Sequence, residues 1–81
     1  MEPQELFDFG EAIRRLKDGH AVARLGWNGK EMYIYLKTWP DTIIDGPFDP
    51  CIVMWTAQRR YQPGWLASQP DMLAEDWVQV A

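Results

Sequence analysis

Eighty-one residues with a formal net charge of −4 fit one acidic domain, and that balance opposes the phosphate-tracking grip by which proteins hold DNA or RNA. A single cysteine excludes an internal disulfide framework, and one cysteine with one histidine cannot furnish the usual ligand set of a structural zinc site. No apolar run nears the roughly 18 residues that cross a bilayer, and Met1-Glu2-Pro3-Gln4-Glu5 lacks the basic-then-apolar order of a signal peptide. The expectation is a soluble, cytoplasmic protein without cofactor, membrane or nucleic-acid partner.

Asp8 opens the first element, spaced with Glu11 as a capping box, and Gly19 is a natural stop. Between them Phe9, Ala12, Ile13 and Leu16 fall at i, i+3, i+4 and i+7, the stripe of an amphipathic helix. His20 to Leu25 alternates weakly and reads as a short strand. Gly26-Trp27-Asn28-Gly29 then turns the chain. Met32 to Thr38 is a stronger strand, with Met32, Ile34 and Leu36 facing one way and Tyr33, Tyr35 and Lys37 the other.

Trp39 to Pro50 is a long Pro-containing loop, and such loops are often binding loops. Cys51 to Thr56 reads as a third strand. A turn near Gln58-Arg59 leads to a short segment around Tyr61. Ser68-Gln69-Pro70-Asp71 resembles a second helix start, with Ser68 as cap, Pro70 in the first turn and Asp71 closing the box. About one turn follows, and Trp77 to Val80 makes a last strand. The sum is a small α+β single domain over residues 1–81. One N-terminal amphipathic helix packs on an antiparallel sheet of four or five strands, with a short C-terminal helical turn.

Catalytic groups are sparse. His20 follows a helix stop, where an imidazole bonds carbonyls or faces solvent, and Cys51 begins an apolar strand as a small core residue. Asp41, Asp45 and Asp49 miss the calcium-loop spacing and read as loop solvation. Asp71, Glu75 and Asp76 could form an acid–base pair, but helix capping explains them more simply. The chain therefore reads as a binder rather than an enzyme.

Five tryptophans, and 47% hydrophobic residues overall, are more than a core of this size can hide. Such a domain buries only about 60–65% of its unfolded surface and gains from self-association. Arg24-Leu25-Gly26-Trp27-Asn28-Gly29-Lys30 suits a nucleotide: the indole stacks on a purine and the guanidinium bonds phosphate in two-pronged fashion. The alternative is a tight hairpin whose Trp27 plugs the sheet edge. The segment from Pro63 to Trp77 contains a helix N-terminus whose amides attract anions, or it is an ordinary capped turn. Phe48 is a second stacking ring or a plug under its loop. A nucleotide-sized pocket of roughly 300–1,000 Å³ fits better between subunits than inside one.

The stretches Phe9-Gly10-Glu11-Ala12, Ala23-Arg24-Leu25-Gly26-Trp27-Asn28-Gly29-Lys30 and Pro63-Gly64-Trp65-Leu66-Ala67-Ser68-Gln69-Pro70-Asp71-Met72-Leu73-Ala74-Glu75-Asp76-Trp77 resemble the phage and prophage family called Thoeris anti-defence protein two. The resemblance covers about residues 9–80. It implies a homotetrameric sponge that sequesters, without cleaving it, the cyclic ADP-ribose-type signal made by TIR-domain enzymes in an infected bacterium. Some members are also similar in binding cyclic dinucleotides of a second defence pathway. On this reading Trp27 stacks on adenine and Arg24 binds pyrophosphate. Phe48 forms a second aromatic wall, and Asn28, Ser68, Gln69, Asp71 and Asp76 meet ribose and base edges. A small protein- or peptide-interaction module built on the tryptophans is the rival reading, and a nucleotide-cleaving enzyme stands third.

Overall fold

The computed structural model describes residues 4–27, 31–38 and 49–81. Helix α1 spans Phe9–Lys17, and helix α2 spans Gln69–Leu73. The strands are β1 (Val22–Arg24), β2 (Tyr33–Lys37), β3 (Cys51–Trp55), β4 (Tyr61–Pro63) and β5 (Trp77–Gln79). They form one antiparallel sheet in the order β4-β3-β2-β1-β5. The architecture is the expected α+β, and the short segment around Tyr61 is a full member of the sheet.

Helix α1 forms where the stripe predicts. Asp8 accepts the Glu11 amide at 2.9 Å, satisfying one of the orphan donors of the first turn. The reciprocal half of that capping box gives way to ion pairs, because Glu11 takes Arg14 at 2.8 Å and Arg15 at 2.9 Å. Gly19 follows with φ of 94°, a conformation glycine adopts without steric cost. Ala12 and Leu16 are buried against the sheet. Arg15 then ties the helix to its surroundings: it bonds Glu5 at 3.1 Å and Gln79 at 3.3 Å, and its guanidinium lies 4.1 Å from the centre of the Phe7 ring.

Register decides which side chains share a face. Val22 pairs with Ile34 and Gln79, Arg24 with Trp77, Ile34 with Met54 and Leu36 with Ile52. These residues turn toward α1, where Val22, Ile34, Met54, Trp77, Leu16, Ala12 and Phe7 make the core. Burying Leu16, Val22 and Ile34 contributes roughly 1.5–3 kcal/mol each. Phe7 also covers one end of the β5 edge, exchanging backbone hydrogen bonds with Trp77 at 2.9 and 3.1 Å.

The opposite face carries no helix among the described residues. Pairing sets Tyr33 beside Trp55, Tyr35 beside Val53, and Trp55 beside Tyr61. The rings contact one another: Trp55 and Tyr61 have centroids 4.7 Å apart, and Tyr35 meets Tyr61 edge-on at 6.0 Å. Ala23, Val53 and Val78 form a buried floor beside this aromatic ladder.

Candidate functional site

Five of the eight predicted site residues meet at one place, and strand pairing brings them there. Arg24 is the register partner of Trp77, so Asp76, just before β5, arrives beside its guanidinium. Arg24 Nε donates to Asp76 Oδ1 at 2.8 Å, and Arg24 Nη1 donates to Asp71 Oδ1 at 2.8 Å. The other Asp76 oxygen accepts the Gly26 amide at 2.8 Å. A methyl group on Gly26 would stand 2.9 Å from that oxygen and 3.3 Å from Arg24 Nη2. Only glycine lets the β1–β2 turn approach so closely.

Asp71 reaches the cluster because α2 is capped locally. Ser68 Oγ accepts the Asp71 amide at 3.2 Å, and Asp71 Oδ2 accepts the Ser68 amide at 3.4 Å. This is the expected reciprocal capping box. It is the ordinary capped turn that stood as the alternative to an anion-attracting terminus, Pro70 has no amide to offer, and α2 is only five residues long. Asp71 Oδ1 meanwhile accepts the Trp27 indole N–H at 3.1 Å, and the Asp71 carbonyl accepts the Trp77 indole N–H at 3.0 Å.

Those contacts fix three tryptophans. Trp27 meets Trp77 edge-on at 5.3 Å and Trp65 at 6.1 Å, and Trp77 is fully buried. Trp27, Trp55 and Trp65 are half-buried, while Trp39 lies outside the described residues. Trp27, Trp65 and Trp77 therefore do core work first, whereas Trp55 belongs to the aromatic ladder. Trp27 keeps part of its surface open.

Electrostatically the cluster is one cation between two carboxylates. Hydrogen bonds donated to Asp76, then to Asp71, raise the Arg24 pKa above its ordinary value. The Arg24 hydrogen bond holds Asp76 below the usual carboxylate range. Burial pushes Asp71 upward, but its hydrogen bonds from Arg24, Trp27 and Ser68 together outweigh it and leave the pKa lowered. The Nε and Nη1 of Arg24 thus serve the fold, and Nη2 has no hydrogen-bond partner among the described residues. Both carboxylates still have lone pairs with which to accept from hydroxyl or amino groups.

Gln69 is exposed on the first position of α2. Asn28 and Phe48 lie outside the described residues. His20 Nδ1 meets the Ala81 carbonyl oxygen at 3.2 Å, where it acts as donor. Among the described residues no group of three His, Cys, Asp or Glu side chains could hold a metal ion. No helix among them is long and apolar enough to cross a membrane.

The aromatic ladder of Tyr33, Tyr35, Trp55 and Tyr61 is a second surface that residue patterns only half revealed. Alternation in β2 sets Tyr33 and Tyr35 on one side, but Trp55 joins them only through the β2–β3 pairing and Tyr61 only through the β3–β4 pairing. An open groove of about 420 Å³ lies at one end of this face, lined by Ala21, Glu31, Met32, Tyr33, Val80 and Ala81.

The family model for the Thoeris anti-defense 2-like domain matches residues 7–80. A relative from Bacillus phage SP01, named Thoeris anti-defense 2, is 39% identical over 80 residues, covering 85% of this chain and 89% of its own length.

Proposed function

The chain belongs to the Thoeris anti-defense 2-like family, its role is accordingly anti-defence, and we propose that it fills that role as a sponge. It binds the cyclic ADP-ribose-type signal of TIR-domain immunity in the cytoplasm of the infected cell and holds it without cleavage. The observation that supports this reading most is the fixed cluster of Trp27, Asp71, Arg24 and Asp76. A pre-set site loses less ordering entropy on binding, which favours affinity.

Each group has a part. The open portion of Trp27 stacks on adenine, a contact worth about 1–3 kcal/mol per base. Asp71 and Asp76 accept from ribose hydroxyls or the exocyclic amine. Arg24 reaches pyrophosphate through Nη2 alone, a narrower role than the two-pronged contact expected from sequence. Ser68 and Gln69 offer further polar groups to ribose and base edges, and the parts expected of Asn28 and Phe48 fall on residues outside those described.

Self-association belongs to the same proposal. The aromatic ladder is a large apolar face on a small domain, and a second copy is its natural cover. The homotetramer brings such faces together in pairs.

The test is direct. The purified protein is incubated with a cyclic ADP-ribose isomer, denatured and chromatographed, and melting temperature is followed in parallel. A sponge raises its melting temperature with ligand and returns the ligand whole. Fragments in the chromatogram would make it an enzyme, and an unshifted melting curve across cyclic ADP-ribose isomers and cyclic dinucleotides would end the reading.

A further inference from the structure

The Trp27 cluster is rich in acceptors and short of donors. Asp71 Oδ1 accepts from Arg24 and from the Trp27 indole, and Asp71 Oδ2 accepts the Ser68 amide. Asp76 takes Arg24 Nε on one oxygen and the Gly26 amide on the other. A carboxylate has about four lone-pair sites, so Asp71 Oδ2 and both Asp76 oxygens can each accept once more. The donors that an anion would use are largely spent. The Gly26, Ser68 and Asp71 amides are all taken by side chains of the cluster, and two of the three Arg24 nitrogens hold carboxylates.

Charge points the same way. One guanidinium between two carboxylates leaves the cluster with a net negative charge, and Glu75, beside Asp76 in the chain, is exposed and has the same sign. The Asp71 and Asp76 side chains are 14% and 30% exposed, which makes Asp76 the more accessible acceptor. A ribose hydroxyl donates to such a group. A phosphate in its place brings acceptor oxygens and about 1.5–2 negative charges near neutrality. Dinucleotide-binding folds use the same contrast: an acidic residue on the ribose suits the free hydroxyl, and an arginine accommodates the phosphate.

We infer that the cluster is a selector for an unmodified ribose hydroxyl, with Asp76 as chief acceptor and Asp71 beside it. The chain then takes cyclic ADP-ribose-type ligands whose ribose hydroxyls are free and excludes the same ring carrying a phosphate on the hydroxyl that is read. The inference rests on the sponge reading and goes beyond it, because holding a ligand does not require refusing its phosphorylated form.

Calorimetry with the full chain tests it. The probes are a cyclic ADP-ribose isomer that raises the melting temperature and the same ring phosphorylated on a free ribose hydroxyl. The phosphorylated ring should bind at least tenfold more weakly at about pH 7.5, and the gap should shrink at least threefold at about pH 5, where the phosphate, with its second pKa near 6, has lost a charge. Asp71 and Asp76 stay ionised across that range, since their pKa values lie below the ordinary carboxylate value. His20, the one histidine, bonds the Ala81 carbonyl oxygen beyond the far end of β5, away from the cluster. D76N, folded by its circular dichroism, should narrow the gap at least threefold at about pH 7.5. Equal affinity for the two rings, or a gap that ignores pH as a purely steric clash would, overturns the selector and leaves the sponge standing. If no isomer binds, both fall.

Discussion

Trp27 donates its indole N–H, at 3.1 Å, to Asp71 Oδ1, which also accepts from Arg24 at 2.8 Å. One carboxylate oxygen therefore sets both the ring and the cation that the β1–β2 turn contributes. Because the Asp71 carbonyl also holds the Trp77 indole, this residue links the sheet, α2 and the aromatic cluster. The side chains of Arg24 and Asp71 are only 19% and 14% exposed, so the contact is largely shielded from solvent.

Asp71→Ala leaves Arg24 short of a partner, frees the Trp27 N–H and removes half of the α2 capping box. Breaking a buried pair costs about 3–5 kcal/mol and a lost cap about 0.5–2 kcal/mol. Partial exposure and the surviving Asp76 contact reduce the total to about 2–4 kcal/mol. Denaturant unfolding measures it, and a loss below about 1 kcal/mol would show that the cluster is not holding α2.

Gly26→Ala tests the close approach of the turn. The added methyl group meets Asp76 Oδ2 at 2.9 Å and Arg24 Nη2 at 3.3 Å, so the Gly26–Asp76 hydrogen bond must lengthen. The expected loss is about 1–2 kcal/mol. Gly10→Ala is the control, because its methyl group meets only Asp8 and Arg14 atoms at 3.5 Å or beyond, and alanine is the better helix former.

Acid should loosen the same cluster. Asp71 and Asp76 both have folded-state pKa values below their ordinary one. The stability they contribute is fully present above the unfolded carboxylate pKa, near 3.9, and is lost as pH falls through the folded values. Melting temperature should thus be insensitive to these two groups near neutrality and fall below about pH 4. Asp76→Asn should flatten that fall relative to the parent chain.

Helix α1 and the Ser68–Asp71 box were legible because capping and amphipathicity act over three to four residues. The partners of Arg24 were not, since Asp71 and Asp76 lie 47 and 52 residues downstream and meet it only through the antiparallel β1–β5 register. A guanidinium beside an indole looks like a phosphate clamp when its carboxylates are out of view. The aromatic ladder was partly visible: alternation in β2 separated Tyr33 and Tyr35 from Ile34, but joining Trp55 to them needed the β2–β3 pairing and joining Tyr61 needed the β3–β4 hairpin. Trp77 stood out as an aromatic and proved fully buried, because α1 and the N-terminal segment close over it.

If copies of the chain meet through that ladder, a charge in its centre should part them. Tyr35 sits between Tyr33 and Tyr61, with centroids 6.4 and 6.0 Å away. Tyr35→Lys should lower the molar mass seen by light scattering by at least half at micromolar concentration. The isolated domain should keep its circular dichroism. An unchanged mass would move the joint elsewhere on the surface.

Ligand binding and scaffold support can be separated at Trp27 itself. Trp27→Ala removes both the stacking face and the packing against Trp65 and Trp77. It should weaken a cyclic ADP-ribose-type ligand at least tenfold in calorimetry and destabilise the fold by about 2–3 kcal/mol, below the cost for a fully buried tryptophan. Trp27→Phe keeps a ring but loses the N–H donated to Asp71, a bond to a charged group worth about 1.5–3 kcal/mol. Its stability should therefore fall nearly as far, while affinity drops only about threefold, because a smaller ring still stacks. Affinity that followed stability in both variants would make Trp27 a prop for the cluster, whereas affinity that followed the ring would put it against the ligand.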